Sequence, residues 1–309
     1  MVQMSDSTFP SVAILVSSFS LLVAGYLFYK YTKSNSDSKS PKLLQSSEVK
    51  YAVPLIEKEE ISPDTRRYRF GLPSNEHILG LPTGQHISLS ATVNDRLAIR
   101  SYTPVSSDDD QGYFDLVVKV YFANVNPKFP NGGQMSQHLE NLKIGETIQI
   151  RGPNGRLIYQ GCGKFSIRKG ATSPFEERNF RNVGMIAGGT GLTPMLQIIR
   201  HIFKDSEDKT NIWLLYANQT ESDILLRKEL EEVKKANPER FHLWYTLDRP
   251  EEGWEYSSGF VNDEMMAKHL PARGQDTIIL MCGPPPMIKF ACLPNLEKLG
   301  HLESNLFAY

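Results

Sequence analysis

The chain has 309 residues, with Lys+Arg 34 against Asp+Glu 35, a formal net charge of -1, and 40% hydrophobic and 22% charged residues. That length allows one large domain or two ordinary ones, and the composition excludes both a small disulfide scaffold and wholesale disorder. Balanced charge leaves no global field to hold nucleic acid, so no nucleic-acid partner is expected, and three cysteines without a C-x-x-C pair (Cys162, Cys282, Cys292) fit reduced thiols in the cytosol.

The first expected element is a membrane anchor over residues 1–31. Val12 to Tyr29 is apolar and uncharged, and about 18 residues at ~1.5 Å each just cross a ~30 Å hydrocarbon core. Only Asp6 precedes the run, whereas Lys30, Lys33, Lys39 and Lys42 follow it and argue for a cytosolic downstream chain. Tyr26, Tyr29 and Tyr31 would sit at that interface. A cleaved signal peptide is the alternative, but the positive charge lies after the run, and no small-x-small cleavage site is evident. Residue 2 is Val, so N-myristoylation is not available to help. Residues 32–47, rich in Ser, Lys and Asn, read as a flexible tether.

From Tyr51 the pattern becomes short β-rich runs: Thr65 to Phe70, Gln85 to Thr92, Arg96 to Tyr102, Phe114 to Phe122 and Thr147 to Arg151, separated by Gly, Pro, Asn and Asp. Such spacing predicts a small antiparallel barrel over residues 48–160, with one helix at Ser136 to Leu142 and Ser136 as its N-cap. Period-2 alternation puts Arg100 and Tyr102 on one strand face, pairing a phosphate-binding fork with a ring that can stack on a planar heterocycle. Ahead of the helix, Gly132 and Gly133 could bring bare backbone N–H groups to a phosphate. Taken singly, each has an ordinary reading as a surface arginine, a packed tyrosine or a turn.

Residues 161–181 read as a linker that either merely joins domains or contributes to docking. Over residues 182–309 the texture changes to alternating strands (Val183 to Ala187, Asn211 to Ala217, Phe241 to Leu247, Thr277 to Cys282) and helices (Thr193 to Phe203, Ser222 to Ala236, Asn262 to Leu270, Ile288 to Leu299). This predicts an α/β domain with a parallel sheet, whose ligands gather at the strand C-terminal ends. There lie Gly188-Gly189-Thr190-Gly191 with Thr193 and Pro194, Asp248 with Arg249, and Gly283-Pro284-Pro285-Pro286-Met287. The glycine run lacks the third glycine of a dinucleotide fingerprint, so alone it is equally a tight turn. Cys282, taken by itself, is a buried inert thiol. The 7 histidines lack ligand spacing, so no metal site is expected.

Together Arg100-x-Tyr102-Thr103, Val118-Lys119-Val120-Tyr121, Gly132-Gly133-Gln134-Met135-Ser136, the run 188–194 and Met281 to Met287 resemble the NADH-cytochrome b5 reductase family, within the ferredoxin-NADP reductase superfamily of flavoproteins. The resemblance runs from about Tyr51 to the C-terminus and implies an FAD-binding barrel followed by an NADH-binding α/β domain. It implies that Arg100 binds the FAD pyrophosphate, Tyr102 packs on the isoalloxazine and Thr103 bonds near flavin N5, with His86 and Ser101 close by. It assigns Val118, Lys119 and Tyr121 to the cofactor cleft, and Gly132, Gly133, Gln134, Met135 and Ser136 to the FAD phosphates. NADH would meet Lys119, Gly188, Gly189, Thr190, Gly191, Thr193, Pro194, Asp248, Cys282, Gly283, Pro284, Pro285 and Met287. Thr103, Lys119, Thr193 and Cys282 would be the residues nearest the hydride path, Cys282 not as a covalent nucleophile. Relatives commonly carry Pro where this chain has Ser101, which bears on loop rigidity.

The expected acceptor is cytochrome b5, an acidic haem protein, with Lys128, Lys164, Arg168 and Lys169 as a docking patch or simply a solvated face. A quinone or other acceptor, or a same-fold binding protein of low turnover, are the competing readings. The expected location is the endoplasmic reticulum or the outer mitochondrial membrane, with the catalytic domains in the cytosol.

Overall fold

A computed structural model of the protein describes residues 40–125 and 127–309. The expected anchor and most of the tether lie outside the described residues, among which no helix is long and apolar enough to cross a membrane. The tether ends sooner than its composition implied. Leu43 and Leu44 donate backbone hydrogen bonds to Ile78 and Leu79, and Leu44 is buried against the first core. The Ser/Lys/Asn texture of residues 32–47 hid two leucines that have somewhere to go.

Six antiparallel strands follow: β1 (Tyr51–Ser62), β2 (Thr65–Gly71), β3 (His86–Val93), β4 (Arg96–Tyr102), β5 (Tyr113–Lys119) and β6 (Thr147–Asn154), in the order β4-β3-β6-β1-β2-β5. Alternate residues of five of these strands, such as Val53 and Leu55, Tyr68 and Phe70, Ile87 and Leu89, and Ile148 and Ile150, fall into one buried cluster together with Ala98 of β4. One core shared by all six strands is the barrel that the turn spacing predicts. Helix α1 (Gln134–Asn141) closes it with Met135 and Leu139. Ser136 is not its N-cap. Gly133 holds that place, and Ser136 sits inside the first turn, its hydroxyl donating to the Gly133 carbonyl at 3.1 Å.

The expected linker is structured. Strands β7 (Leu157–Gly161), β8 (Lys164–Ile167) and β9 (Glu176–Asn179) form a three-stranded antiparallel sheet. Tyr159 of β7 is buried, and its hydroxyl bonds to Asp208 and Thr210 of the following domain. Asp208, with no solvent exposure, also accepts from the backbone N–H groups of Cys162 and Thr210. Polar composition read as a connection because these strands are short and half their residues face solvent.

The remaining chain forms a parallel sheet of β10 (Asn182–Gly188), β11 (Asn211–Asn218), β12 (Phe241–Leu247), β13 (Ser257–Ser258), β14 (Thr277–Cys282) and β15 (Leu306–Ala308), in the order β13-β12-β11-β10-β14-β15. Its central strands read as continuous apolar runs because both faces are covered. On one face, α2 (Leu192–Lys204) and α3 (Arg227–Ala236) pack over Val183, Met185, Ile212 and Leu214. On the other, α4 (Asp263–His269) and α5 (Leu293–Lys298) pack over Ile186, Leu215 and Met281. Barrel and α/β domain belong to one compact unit from Lys42 to Tyr309, with Val105 and Val117 of the barrel side buried in the α/β core.

Candidate cofactor cleft

The cleft is built by the end of the parallel sheet and the barrel strand beside it. Strand β5 runs next to the 3-10 turn Gly189–Gly191 that joins β10 to α2. Alternation along β5 divides its residues: Val118 enters the barrel core, whereas Val117 packs against the α/β core and half-buried Lys119 lies on that same side. The Val118 side chain therefore faces the barrel core, and Val117, which sequence reasoning did not name, is the β5 valine on the Lys119 side.

Lys119 is occupied. Its Nζ lies 2.8 Å from Asp64 of the β1–β2 turn and 2.9 Å from Asp223, in the loop after β11. Burial alone would lower the Lys119 pKa, but the hydrogen bonds to the two carboxylates raise it overall. Asp223 is held below the usual carboxylate range, because the Lys119 ammonium and the Thr220 hydroxyl outweigh the burial that would raise it. Neither aspartate was singled out from sequence. Asp223 could have been, since the end of the second parallel strand is as much a ligand edge as the ends of the first, third and fourth.

The two glycine-bearing loops touch. A Cβ on Gly191 would lie 2.1 Å from the Cys282 carbonyl oxygen, and one on Gly283 would lie 3.1 Å from the Gly188 nitrogen. The close approach of 188–191 to 282–287 thus demands glycine at 191 and leaves a side chain at 283 tight against the Gly188 backbone. Gly189 adopts a left-handed φ of 54° while its Cβ position is open, so there it is the turn itself that needs glycine. Thr193 donates to the Thr190 carbonyl at 3.2 Å, and Pro194 is buried in the first turn of α2, which starts at Leu192 rather than at Pro194. Pro284 and Pro285 are exposed on the second loop, and Met287 packs beneath Gly188. Burial pushes the Cys282 thiol up to about 11, so it is a thiol and not a thiolate at neutral pH. Asp248 is exposed just past β12, its N–H bonded to the Asn218 carbonyl at 3.0 Å, and partial burial raises its pKa against the pull of Arg249.

On the barrel side, Tyr102 is half-buried and its pKa is pushed up to about 12, first by burial, with Arg100 pulling it down and Tyr121 up. The three side chains thus share one electrostatic neighbourhood. Arg100 is exposed, donates to the Ile99 carbonyl at 2.7 Å and pairs with no carboxylate among the described residues. Ser101 is exposed on the opposite strand face, Thr103 is half-buried, and half-buried His86 has its pKa lowered by burial. Tyr121 is 54% exposed, yet its backbone is pinned: its N–H donates to the Ser136 hydroxyl at 3.1 Å and its carbonyl accepts from Gly133 at 2.8 Å. Gly132, at φ 63°, could not carry a Cβ, which would lie 2.3 Å from the Tyr121 oxygen. Gln134 is half-buried, and the Met135 side chain belongs to the barrel core, so Met135 can offer a ligand only its backbone.

These features fit a flavin dinucleotide: an unpaired guanidinium, a partly open phenol beside it, and a helix start whose first-turn N–H groups lack a side-chain cap. The glycine turn and the end of the parallel sheet fit a second, nicotinamide dinucleotide. Among exposed candidate docking cations, Lys164 and Lys169 project from the three-stranded sheet and Lys128 from the loop before α1, whereas Arg168 is half-buried with Nη2 on the Gly155 carbonyl.

Comparison with known proteins agrees with this division. Residues 52–159 match the family of oxidoreductase FAD-binding domains, and residues 185–293 match that of oxidoreductase NAD-binding domains. The protein is therefore an oxidoreductase that uses FAD and NADH. The chain is 61% identical to NADH-cytochrome b5 reductase 2 of Danio rerio, over 92% of this chain and 94% of the relative, and 60% identical to NADH-cytochrome b5 reductase 3 of Mus musculus, over 86% and 88%. The cytochrome b5 reductase domain of Ulva prolifera nitrate reductase superposes with a TM-score of 0.81 at 46% identity, covering 85% of this chain and 98% of that domain. The chain belongs to the NADH-cytochrome b5 reductase family of the ferredoxin-NADP reductase superfamily.

Proposed function

We propose that the protein is a membrane-anchored reductase that takes hydride from NADH and delivers single electrons to cytochrome b5 or a closely similar acidic haem protein. The observation that carries the catalytic half is the meeting of β5, the Gly189–Gly191 turn and the Cys282 loop at one sheet edge. FAD, when bound, supplies the two-electron to one-electron conversion; the protein's part is position and electrostatics. Arg100 neutralises the flavin pyrophosphate together with the first-turn N–H groups of Gln134, Met135 and Ser136. Tyr102 and Tyr121 flank the ring system, and Thr103 offers a hydroxyl to its reactive edge.

Thr193, at the start of α2, and Cys282 line the hydride path, and the burial that keeps Cys282 protonated keeps it chemically quiet. Gly188 to Gly191 admit the NADH pyrophosphate, and Asp248 accepts from the adenosine ribose while repelling a 2'-phosphate. The acceptor reading is supported by the names of the relatives, and exposed Lys128, Lys164 and Lys169 supply charge that suits an acidic partner. The anchor reading is supported by the apolar run Val12 to Tyr29, and the lysines after it support cytosolic domains, on endoplasmic reticulum or outer mitochondrial membrane in this reading.

The test is an anaerobic absorbance titration of the flavin-loaded full chain in lipid vesicles. Bleaching by NADH, far slower bleaching by NADPH, and reoxidation by oxidised cytochrome b5 are expected, with protein and vesicles floating together. Bleaching without reoxidation would reject the acceptor alone, and protein left behind by floating vesicles would reject the anchor.

A further inference from the structure

Asn218 ends β11 at the nucleotide edge of the sheet, 7% exposed, and both its Oδ1 and its Nδ2 are buried without a hydrogen-bond partner. The other such atoms among the described residues are single ones, on Arg151, Arg168 and Tyr245. A carboxamide with both ends unpaired carries the full desolvation cost of each, so native proteins seldom keep one without a use. Local chemistry does not supply the use. Tyr216, two residues back on the same face, is within reach: burial raises its phenol pKa and the Asn218 carboxamide pulls it back, yet neither carboxamide atom reaches hydrogen-bond geometry with it, and the phenol's own proton goes to the Gly189 carbonyl at 3.1 Å. The Asn218 backbone is engaged separately, its carbonyl accepting from Asp248 at 3.0 Å.

Register locates the side chain within the cleft. Ala217 pairs with Gly188, the residue before the glycine turn, and Asn218 pairs with Leu247, the residue before Asp248. Strand β11 therefore lies between the turn that takes a pyrophosphate and the carboxylate that faces a ribose, and a dinucleotide joining the two passes over Asn218. Its unused donor and unused acceptor select among the groups of that ligand. Phosphate oxygens only accept, whereas a sugar hydroxyl accepts and donates at once; the base and the nicotinamide amide also do both, but they lie beyond the stretch between the turn and Asp248 that passes over Asn218.

We infer that the Asn218 carboxamide holds a ribose hydroxyl of NADH and so helps to fix the nucleotide across the sheet edge. The assignment rests on the siting of NADH proposed above. It is tested on the FAD-loaded full chain with Asn218→Leu, which keeps the volume and removes both polar atoms, and Asn218→Asp, which keeps the shape and removes the donor. Calorimetric titration with NAD+ should show N218L binding about tenfold more weakly than wild type, which is about 1.4 kcal/mol, and N218D at least as weakly. Without nucleotide, N218L should melt about 2 °C higher, since no unpaired polar atom remains buried. Inorganic pyrophosphate should compete equally well against either protein.

Unchanged NAD+ affinity in N218L, or pyrophosphate weakened as much as NAD+, would overturn the ribose assignment while leaving the site intact. A lowered melting temperature in N218L would mean that the carboxamide already has a partner, and would overturn it as well. Wild-type protein that bound no NAD+ would instead reject the siting of the nucleotide, and this role with it.

Discussion

Lys119 of the barrel and Asp223 of the α/β domain form a 2.9 Å ion pair across the domain boundary, beside the glycine turn, with Asp64 on the ammonium's other side at 2.8 Å. The cation expected to serve NADH is thus held by two carboxylates. A nucleotide carrying phosphates must compete with them, and the pair is only partly buried, with side-chain exposures of 28% and 24%. Its worth in water is on the order of 1 kcal/mol or less, small enough for a ligand to displace.

Changes at the two ends of this pair should therefore act in opposite directions. Asp223→Asn leaves Lys119 with Asp64 alone and frees positive charge for the nucleotide, so the KM for NADH should fall about two- to fivefold. Lys119→Met leaves two carboxylates facing an anion, and KM should rise at least about tenfold. Steady-state kinetics at low and high salt decides the matter. A rise in KM with both variants would mean that the pair acts as a clamp between domains and not as a competitor.

Much of this architecture is legible in the sequence, and the exceptions share a cause. Strands β2 to β6 and the central parallel strands announce themselves by alternation or by continuous apolar runs. Ser257–Ser258 and Leu306–Ala308 are too short to show a period, and the β7–β9 sheet hides in polar residues that face solvent. The site divides similarly. Glycines and prolines at strand ends mark both loops because backbone approach requires them. Asp64 and Asp223 are ordinary loop residues whose importance comes from an ion pair with Lys119, far away in the chain, and Asn218 is an ordinary strand end marked only by the burial of its unpaired carboxamide; neither composition nor spacing encodes either. Val118 and Met135 differ: a motif marks them, but alternation and helix phase turn those side chains into the barrel core.

Asp248 should govern cofactor choice. A carboxylate about 4 Å from a 2'-phosphate repels it by ~1 to 4 kcal/mol per charge pair, depending on screening. Asp248→Ala should raise kcat/KM for NADPH relative to NADH by about tenfold or more. Partial burial raises this carboxyl's pKa. Discrimination should accordingly weaken as pH falls toward the carboxylate range and be complete above it. An unchanged NADPH:NADH ratio would remove Asp248 from the site.

Gly191→Ala should be damaging out of proportion to one methyl group. The added carbon would meet the Cys282 carbonyl at 2.1 Å, a backbone atom that cannot swing aside. The two loops must separate, and overpacking of this kind costs about 1 to 3 kcal/mol. NADH affinity should drop together with the melting temperature, whereas flavin content, which depends on the barrel, should be retained. Loss of flavin with intact NAD+ binding would place the damage elsewhere.

The buried tyrosine and aspartate beneath the three-stranded sheet should set the acid limit of the fold. Asp208 has no solvent exposure; burial would raise its pKa, but hydrogen bonds from Thr210, Tyr159 and Cys162 hold it below the usual carboxylate value. In the unfolded chain the same carboxyl titrates near ~3.9. A folded pKa below the unfolded one contributes stability that is present in full above ~3.9 and is lost as pH falls through the folded value. Asp208→Asn removes that contribution and leaves an amide where three protein groups donate to a carboxylate, so it should cost about 2 to 4 kcal/mol at neutral pH. Urea unfolding as a function of pH should then show the gap between wild type and D208N narrowing below about pH 4. Tyr159→Phe, which removes one of the donors and spares the charge, should cost less, about 1 to 2 kcal/mol. A gap between wild type and D208N that stayed constant down to pH 2 would show that folding does not lower the Asp208 pKa, and a gap that widened toward low pH would show that the carboxyl is protonated in the folded protein.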